Sequence, residues 1–293
     1  MIEQALLEHL KGQQSLAQYL ATYADQPAIF YQEAPADVDN LWATGPQYGR
    51  IVFTEDLQGD PERIMGGTLV VDIYCKEDKQ FPEDIEPILR ELIHGYFFSN
   101  GTFVAAAKWN RSDYFTEPTN QVTGCTLSFE LLAFPVLSTG EPDVIERLNE
   151  WTSRLGEKVY AINKDPLPAG AWKPSNGEAA VYWRVTAENP AGWIPDTYQT
   201  IWRTATVKGH IFADKMFDQS MIAREIRTRL YAEKRLLRSG EAPIMVNTKI
   251  SIDDGADALR TGQMTVDATY GIIVRMKSST MLEHIKTERK ENL

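Results

Sequence analysis

Residues able to do acid–base, nucleophilic or metal chemistry are present in this chain, but they are scattered. The four histidines, His9, His94, His210 and His284, show no His-x-x-x-His spacing and no pairing with cysteine. A zinc site needs convergent ligands at characteristic separations, and that pattern is missing. Cys75 and Cys125 each fall in an alternating apolar run and read as small buried hydrophobes. With only these two, a disulfide framework is not expected and a reducing cytoplasm is the natural compartment. The densest carboxylate cluster, Asp253-Asp254-Gly255-Ala256-Asp257, lacks the ligand order of a calcium loop and reads as a solvated hairpin tip. Gly66-Gly67 precedes a strand, so it does not cradle phosphate at a helix N-terminus. No G-x-S-x-G or P-loop occurs. The expectation is therefore no catalytic residue, no metal site, no cofactor and no enzyme. Distant residues can still converge, so an enzyme or binding protein with a cleft between two modules stays open as a weaker reading.

Charge points instead to surfaces. The net charge is −11. Residues 1–141 hold 8 Lys+Arg against 21 Asp+Glu, and the remainder 22 against 20. Such an acidic first half repels a phosphate backbone, which disfavours tight nucleic-acid binding. Glu33, Asp37 and Asp39 form an acidic loop, and Asp56 and Asp60 lie in a second polar, turn-rich stretch. In the second half Arg224, Arg227, Arg229, Lys234, Arg235 and Arg238 make a basic run. That run could face an acidic protein surface, solvent or phosphate. Trp42, Trp172 and Trp193 sit in Pro/Gly-rich loops, where they either mark interfaces or fold back over their own core. Glu33, Asp37, Asp39, Trp42, Asp56, Asp60, Trp172, Trp193, Arg224 and Arg227 are the candidate assembly or lumen contacts.

The elements that must carry these residues run through the same order twice. Ile2, Leu6 and Leu10 predict an amphipathic N-terminal helix, weakened at Gly12 before Leu16 and Leu20 resume the stripe. Strands are expected at 28–31, 50–55 and 68–75, then a helix opened by Pro82 with Ile85, Ile88, Leu89 and Leu92 inward. Strands at 103–109 and 121–134 flank a long polar loop at 110–120. The second pass gives a helix opened by Pro142, strands at 158–162, 180–186 and 200–213, and a helix capped by Asp218 or Ser220. Strands at 244–251 and 263–274 around a polar loop complete it. Thr68–Cys75 lines up with Thr206–Ala213, and Ile88 and Leu92 with Ile226 and Leu230 at the same separation. This predicts an α+β fold of two similar modules, each a mainly antiparallel β-sheet packed against two α-helices. The first spans 1–139, the second and more diverged 140–275, and 276–293 is a C-terminal extension. No apolar run approaches the roughly 20 residues that span a bilayer, and MIEQALLEHL lacks the basic start of a signal peptide.

The N-terminal helix, short strand and long loop, the strands GRIVFTED and GGTLVVDIYC, the helix PEDIEPILRELIHGYF and the strand ending LSFELLAFPV resemble the bacteriophage tail terminator (tail completion, head–tail joining) family. The resemblance covers residues 1–136 best, with 142–275 repeating the plan more loosely. It implies a structural virion protein forming a hexameric ring at the head-proximal end of a phage tail, assembled in the host cytoplasm. Its partners would be further copies of itself, the tail tube protein, the head–tail connector or neck proteins, and the sheath protein if the tail has one. DNA would pass through the lumen without specific binding. Family members are single modules, so a double one leaves open which neck, tube or baseplate ring this chain would build.

Overall fold

The computed structural model describes residues 2–36, 48–58, 66–99, 104–119, 121–167, 170–237 and 244–274. The chain begins with α1 (Glu3–Lys11) and a short α2 (Gln14–Ala17), broken at Gly12. Two-residue strands β1 (Thr22–Tyr23) and β2 (Gln26–Pro27) form a small ribbon. Then come β3 (Ile29–Tyr31), β4 (Arg50–Gln58), β5 (Gly66–Lys76), α3 (Pro82–Ile93), β6 (Phe97–Ser99), β7 (Val104–Glu117) and β8 (Val122–Ala133). Leu69, Val71, Ile73 and Cys75 alternate inward along β5, the two-residue period of a strand with one buried face. Pro82 opens α3 where its missing N–H costs nothing, with Glu83 and Asp84 at the positive end of the dipole. Ile85, Leu89 and Ile93 join Leu6, Leu10 and Leu16 over that face of the sheet.

The chain continues through α4 (Val144–Thr152), β9 (Val159–Ala161), β10 (Ala171–Trp172), β11 (Ala179–Pro190), β12 (Thr200–Ala213), α5 (Met216–Glu233), β13 (Arg235–Leu236), β14 (Ile244–Ile252) and β15 (Met264–Ile273). The molecule is mixed α+β, with two curled sheets. One has seven strands in the order β10-β6-β7-β8-β5-β4-β3, the other six in the order β13-β14-β15-β12-β11-β9. β3 lies parallel to β4, and β9 to β11; all other pairs are antiparallel. The second core gathers Leu148 and Trp151 from α4, Trp183, Val207 and Val266 from the strands, and Ala223, Ile226 and Leu230 from α5. Trp183 donates from Nε1 to Thr152 Oγ1 at 2.8 Å, so its buried indole is satisfied. No described helix is long and apolar enough to cross a membrane.

Several expectations are corrected. Residues 110–117 are not loop: after a bulge between Trp109 and Arg111, pairing resumes from Arg111↔Ser128 to Glu117↔Val122. Most of its residues are exposed, so no alternating apolar signal marks it. Asp56 lies on β4 opposite Thr68, not in a turn. α4 starts at Val144, and Asp143, not Pro142, opens it by accepting from the Ile145 and Glu146 N–H groups. Neither Asp218 nor Ser220 caps α5; Lys215 holds that position without a side-chain cap. The core-facing residues of the two long helices are Leu89 and Ile93 against Ile226 and Leu230, one position out of step with the Ile88/Leu92 match read from the sequence.

Candidate functional site at the seam between the sheets

The two sheets meet through aromatic side chains. β10, from the second half, completes the first sheet by pairing Ala171 with Phe98 and Trp172 with Phe97. Phe97 then packs on Phe134, Trp172 and Phe212 at centroid distances of 5.7, 5.7 and 5.1 Å. Phe134 meets Tyr182 at 5.1 Å, and the buried Tyr182 phenol donates to Pro135 O at 2.9 Å. Burial holds that phenol well above its ordinary pKa. Asn163 Nδ2 donates to Phe134 O at 3.0 Å. Aromatic pairs of this kind contribute about 0.5–1.5 kcal/mol each beyond their buried area.

Beside this cluster lies a cleft of about 260 Å³ between the halves. Phe97, Phe212 and Leu259 form apolar wall, and His94, Lys108, Lys173, Asp214 and Asp257 supply polar groups. Lys108 Nζ reaches Asp257 Oδ2 at 2.6 Å, while Asp257 Oδ1 accepts from Leu259 N at 2.9 Å. Burial alone would raise the Asp257 carboxyl, but the Lys108 hydrogen bond and the Leu259 N–H outweigh it and leave the group below its usual range. Lys173 Nζ donates to His94 O at 3.3 Å and sits 5.7 Å from the Tyr96 ring centroid. His94 Nδ1 accepts from Trp109 N at 3.1 Å, which leaves its proton on Nε2. Burial first, then Lys173 and Lys108, push its pKa down.

His210 lies beneath the 253–263 loop, its Nδ1 donating to Ala258 O at 2.7 Å. It is fully buried, and burial lowers its pKa to about 4. Cys75 and Cys125 are buried, each thiol pushed up to about 12 by burial, the opposite of nucleophile activation. The cleft lining contains no serine, threonine or cysteine among the described residues. Asp214 and Asp257 offset its two lysines, and Lys108 is held by Asp257, so the cleft suits a ligand with an apolar body against the aromatic wall.

Among the described residues, the candidates read from the sequence do not form one constellation. Glu33 is exposed just after β3, and Asp56 is exposed on β4. Asp37, Asp39, Trp42 and Asp60 lie outside the described residues. Trp172, expected on an assembly loop, is instead buried in the seam, because β10 pairs across it. Trp193 is 62% exposed between β11 and β12. Arg224 and Arg227 sit on α5, where Arg224 Nη2 meets Asp254 Oδ2 at 3.1 Å. A hydrogen bond from Ser220 leads in holding Asp254 below its usual pKa, with Arg224 and Arg227 adding to it. The carboxylate cluster read as a solvated tip therefore makes contacts at both ends: Asp254 with α5, and Asp257 with the first sheet. Arg260 adds an ion pair to Glu130. His94, Lys108, Lys173 and Asp257 were not legible as a group, since only the pairing of β6 with β10 and the folded-back loop bring them together. No family model matches the chain, and no curated protein matches its sequence.

Proposed function

We propose that this chain is a ring-forming structural protein of a phage tail, built from two diverged copies of one module. It would sit at the head-proximal end, stop growth of the tube (and of the sheath, where present) and join the tail to the head connector. The tail role rests on the sequence resemblance, and the observation that supports the two-copy plan is a correspondence of order. The run β3-β4-β5-β8-β7-β6 is matched by β9-β11-β12-β15-β14-β13, the first pair parallel in each and the rest antiparallel. Each run has a helix ahead of its first strand, α1 and α4, and another after its third, α3 and α5.

Two modules with related cores and different surfaces supply inequivalent positions in a closed ring. Closure suits such a protein, since head-to-tail contacts that fail to close grow into filaments. An acidic first module would also let DNA pass by like-charge repulsion, over a Debye length of roughly 8–10 Å. The partners would be further copies of the chain, the tube protein, the connector or neck proteins, and any sheath protein. The test is imaging of particles made without this chain. Abnormally long tails, or finished tails unable to join heads, are expected; tails of normal length joined to heads would reject the proposal. The seam cleft favours a second reading, a binding protein for a small organic molecule with an apolar body. A thermal-shift screen of small aromatic and aliphatic compounds that leaves the melting temperature unmoved argues against that one.

A further inference from the structure

Helix α5 carries apolar residues on two faces. Ala223, Ile226 and Leu230 are buried against the second sheet, while Met216, Phe217 and Met221 are 72%, 71% and 51% exposed. A helix lying on a sheet needs one apolar stripe. A second, flexible and methionine-rich one facing water marks a contact surface. Past this patch come Arg227 on α5, Lys234 at its C-terminal cap and Arg235 on β13, against Glu233. Arg224 and Arg229 are already engaged, by Asp254 and Glu225.

The corresponding helix of the first half has the opposite character. On α3 the outward residues are Glu83, Asp84 and Glu91, and Phe81, just before its first turn, is 58% exposed. Residues 77–91 hold Glu77, Asp78, Glu83, Asp84, Glu86 and Glu91 against only Lys79 and Arg90. One chain thus presents an acidic helix with an exposed aromatic on one half, and on the other a helix with an uncovered apolar patch that leads into a basic segment.

We infer that α5 of one copy docks on the α3 face of the next. Phe217 and Met221 supply the apolar contact beside Phe81, and Arg227, with Lys234 and Arg235, which follow the helix, supplies charge complementarity to α3. The two patches differ, so the contact is heterologous and propagates head to tail. This names the interface for the proposed ring and rests on that reading for closure, though not for the contact itself.

The experiment uses the full chain in sedimentation velocity, with circular dichroism to confirm that each variant is folded. The wild type should self-associate at low salt and weaken as sodium chloride rises. The variant Phe217→Glu/Met221→Glu spoils only the α5 face; Glu83→Lys/Asp84→Lys/Glu91→Lys spoils only the α3 face. Each variant alone should lose self-association by about thirtyfold or more. Mixed one to one they should stop at a dimer, because each still offers one intact face. Either variant assembling like the wild type, or a monomeric mixture while the wild type assembles, overturns the contact and leaves the ring reading standing. A wild type that stays monomeric at every salt and protein concentration overturns the contact and counts against the ring as well. Variants that self-associate normally but fail to enter tails would assign the α5 face to another tail component and reject a second copy as its occupant.

Discussion

The hairpin β7–β8 turns over between Glu117 and Val122, whereas β14–β15 opens into a long loop over residues 253–263. Both connections are polar in sequence, and they do different work. In the first half the polar residues become extra ladder, an arm paired along β8 with Arg111 and Asp113 exposed on it. Charged residues on such an arm discourage unwanted strand addition. In the second half the polar residues fold back over the seam. There Asp257 meets Lys108, Arg260 meets Glu130, and Ala258 and Leu259 pack on the seam cluster. The long helices diverge in the same manner: α3 turns carboxylates outward, and α5 turns Met216, Phe217 and Met221 outward. Corresponding positions in two halves can keep a core and exchange their surfaces, because packing constrains only the buried face.

The largest expected effect breaks the cores themselves. Trp183→Ala in the second half and Phe129→Ala in the first should each cost about 3–5 kcal/mol, since both side chains are buried. Because the seam joins the halves through Phe97, Phe134, Trp172 and Phe212, either variant should lower the midpoint of one shared denaturant transition, followed by circular dichroism. Two separate transitions, only one of them moved, would show that the halves fold independently.

Acid should come next, and it should act oppositely on the two halves. His210 has a folded pKa of about 4 against an ordinary 6.5. Between those values the unfolded chain binds the extra proton, so stability falls as pH drops through that window. The loss should approach about 3 kcal/mol below pH 4. Glu55 in the first half is displaced the other way, raised by burial and then by the Glu3 carboxyl. There the folded chain binds more protons, and acidification favours the fold. His210→Asn should flatten the acid side of the stability profile, and Glu55→Gln should steepen it. An unchanged profile in His210→Asn would remove His210 as the acid-sensitive group.

The smallest effect sharpens the contrast between the two connections. Lys108 and Asp257 are about one-third exposed, with side-chain exposures of 35% and 33%. A double-mutant cycle with Lys108→Ala and Asp257→Ala should therefore give a coupling of only about 0.2–1 kcal/mol. Hydrogen exchange should rise across 253–263 in Lys108→Ala while the β7–β8 turn stays unchanged. Equal acceleration in both places would mean that the pair holds more than the loop.

Much of the architecture was written in local pattern. The alternation Leu69, Val71, Ile73, Cys75 on β5 and that of Met264, Val266, Ala268, Tyr270 on β15 mark strands with one buried face. Pro82 with Glu83 and Asp84 marks a helix start, and the strand over 200–213 is found with the bounds read from the sequence. These follow from neighbours along the chain, whose side-chain period and backbone preferences act within a few residues. Where the burial face was not local, the sequence misled. The 110–117 arm looked like loop because most of its residues are exposed and only a few, such as Ser112 bonded to Glu86, meet a helix; Trp172 looked like a loop contact because its partner, Phe97, is far away in the chain. The seam is the clearest case. His94, Lys108, Lys173 and Asp257 have no mutual spacing to read, and they line one cleft because β10 crosses to the first sheet and the 253–263 loop closes over it. Composition and periodicity determined the elements and the acidic bias of the first half. Only tertiary packing decided which polar residues face water, which face the other half, and which helix keeps an uncovered apolar side, because those outcomes depend on what lies across the gap.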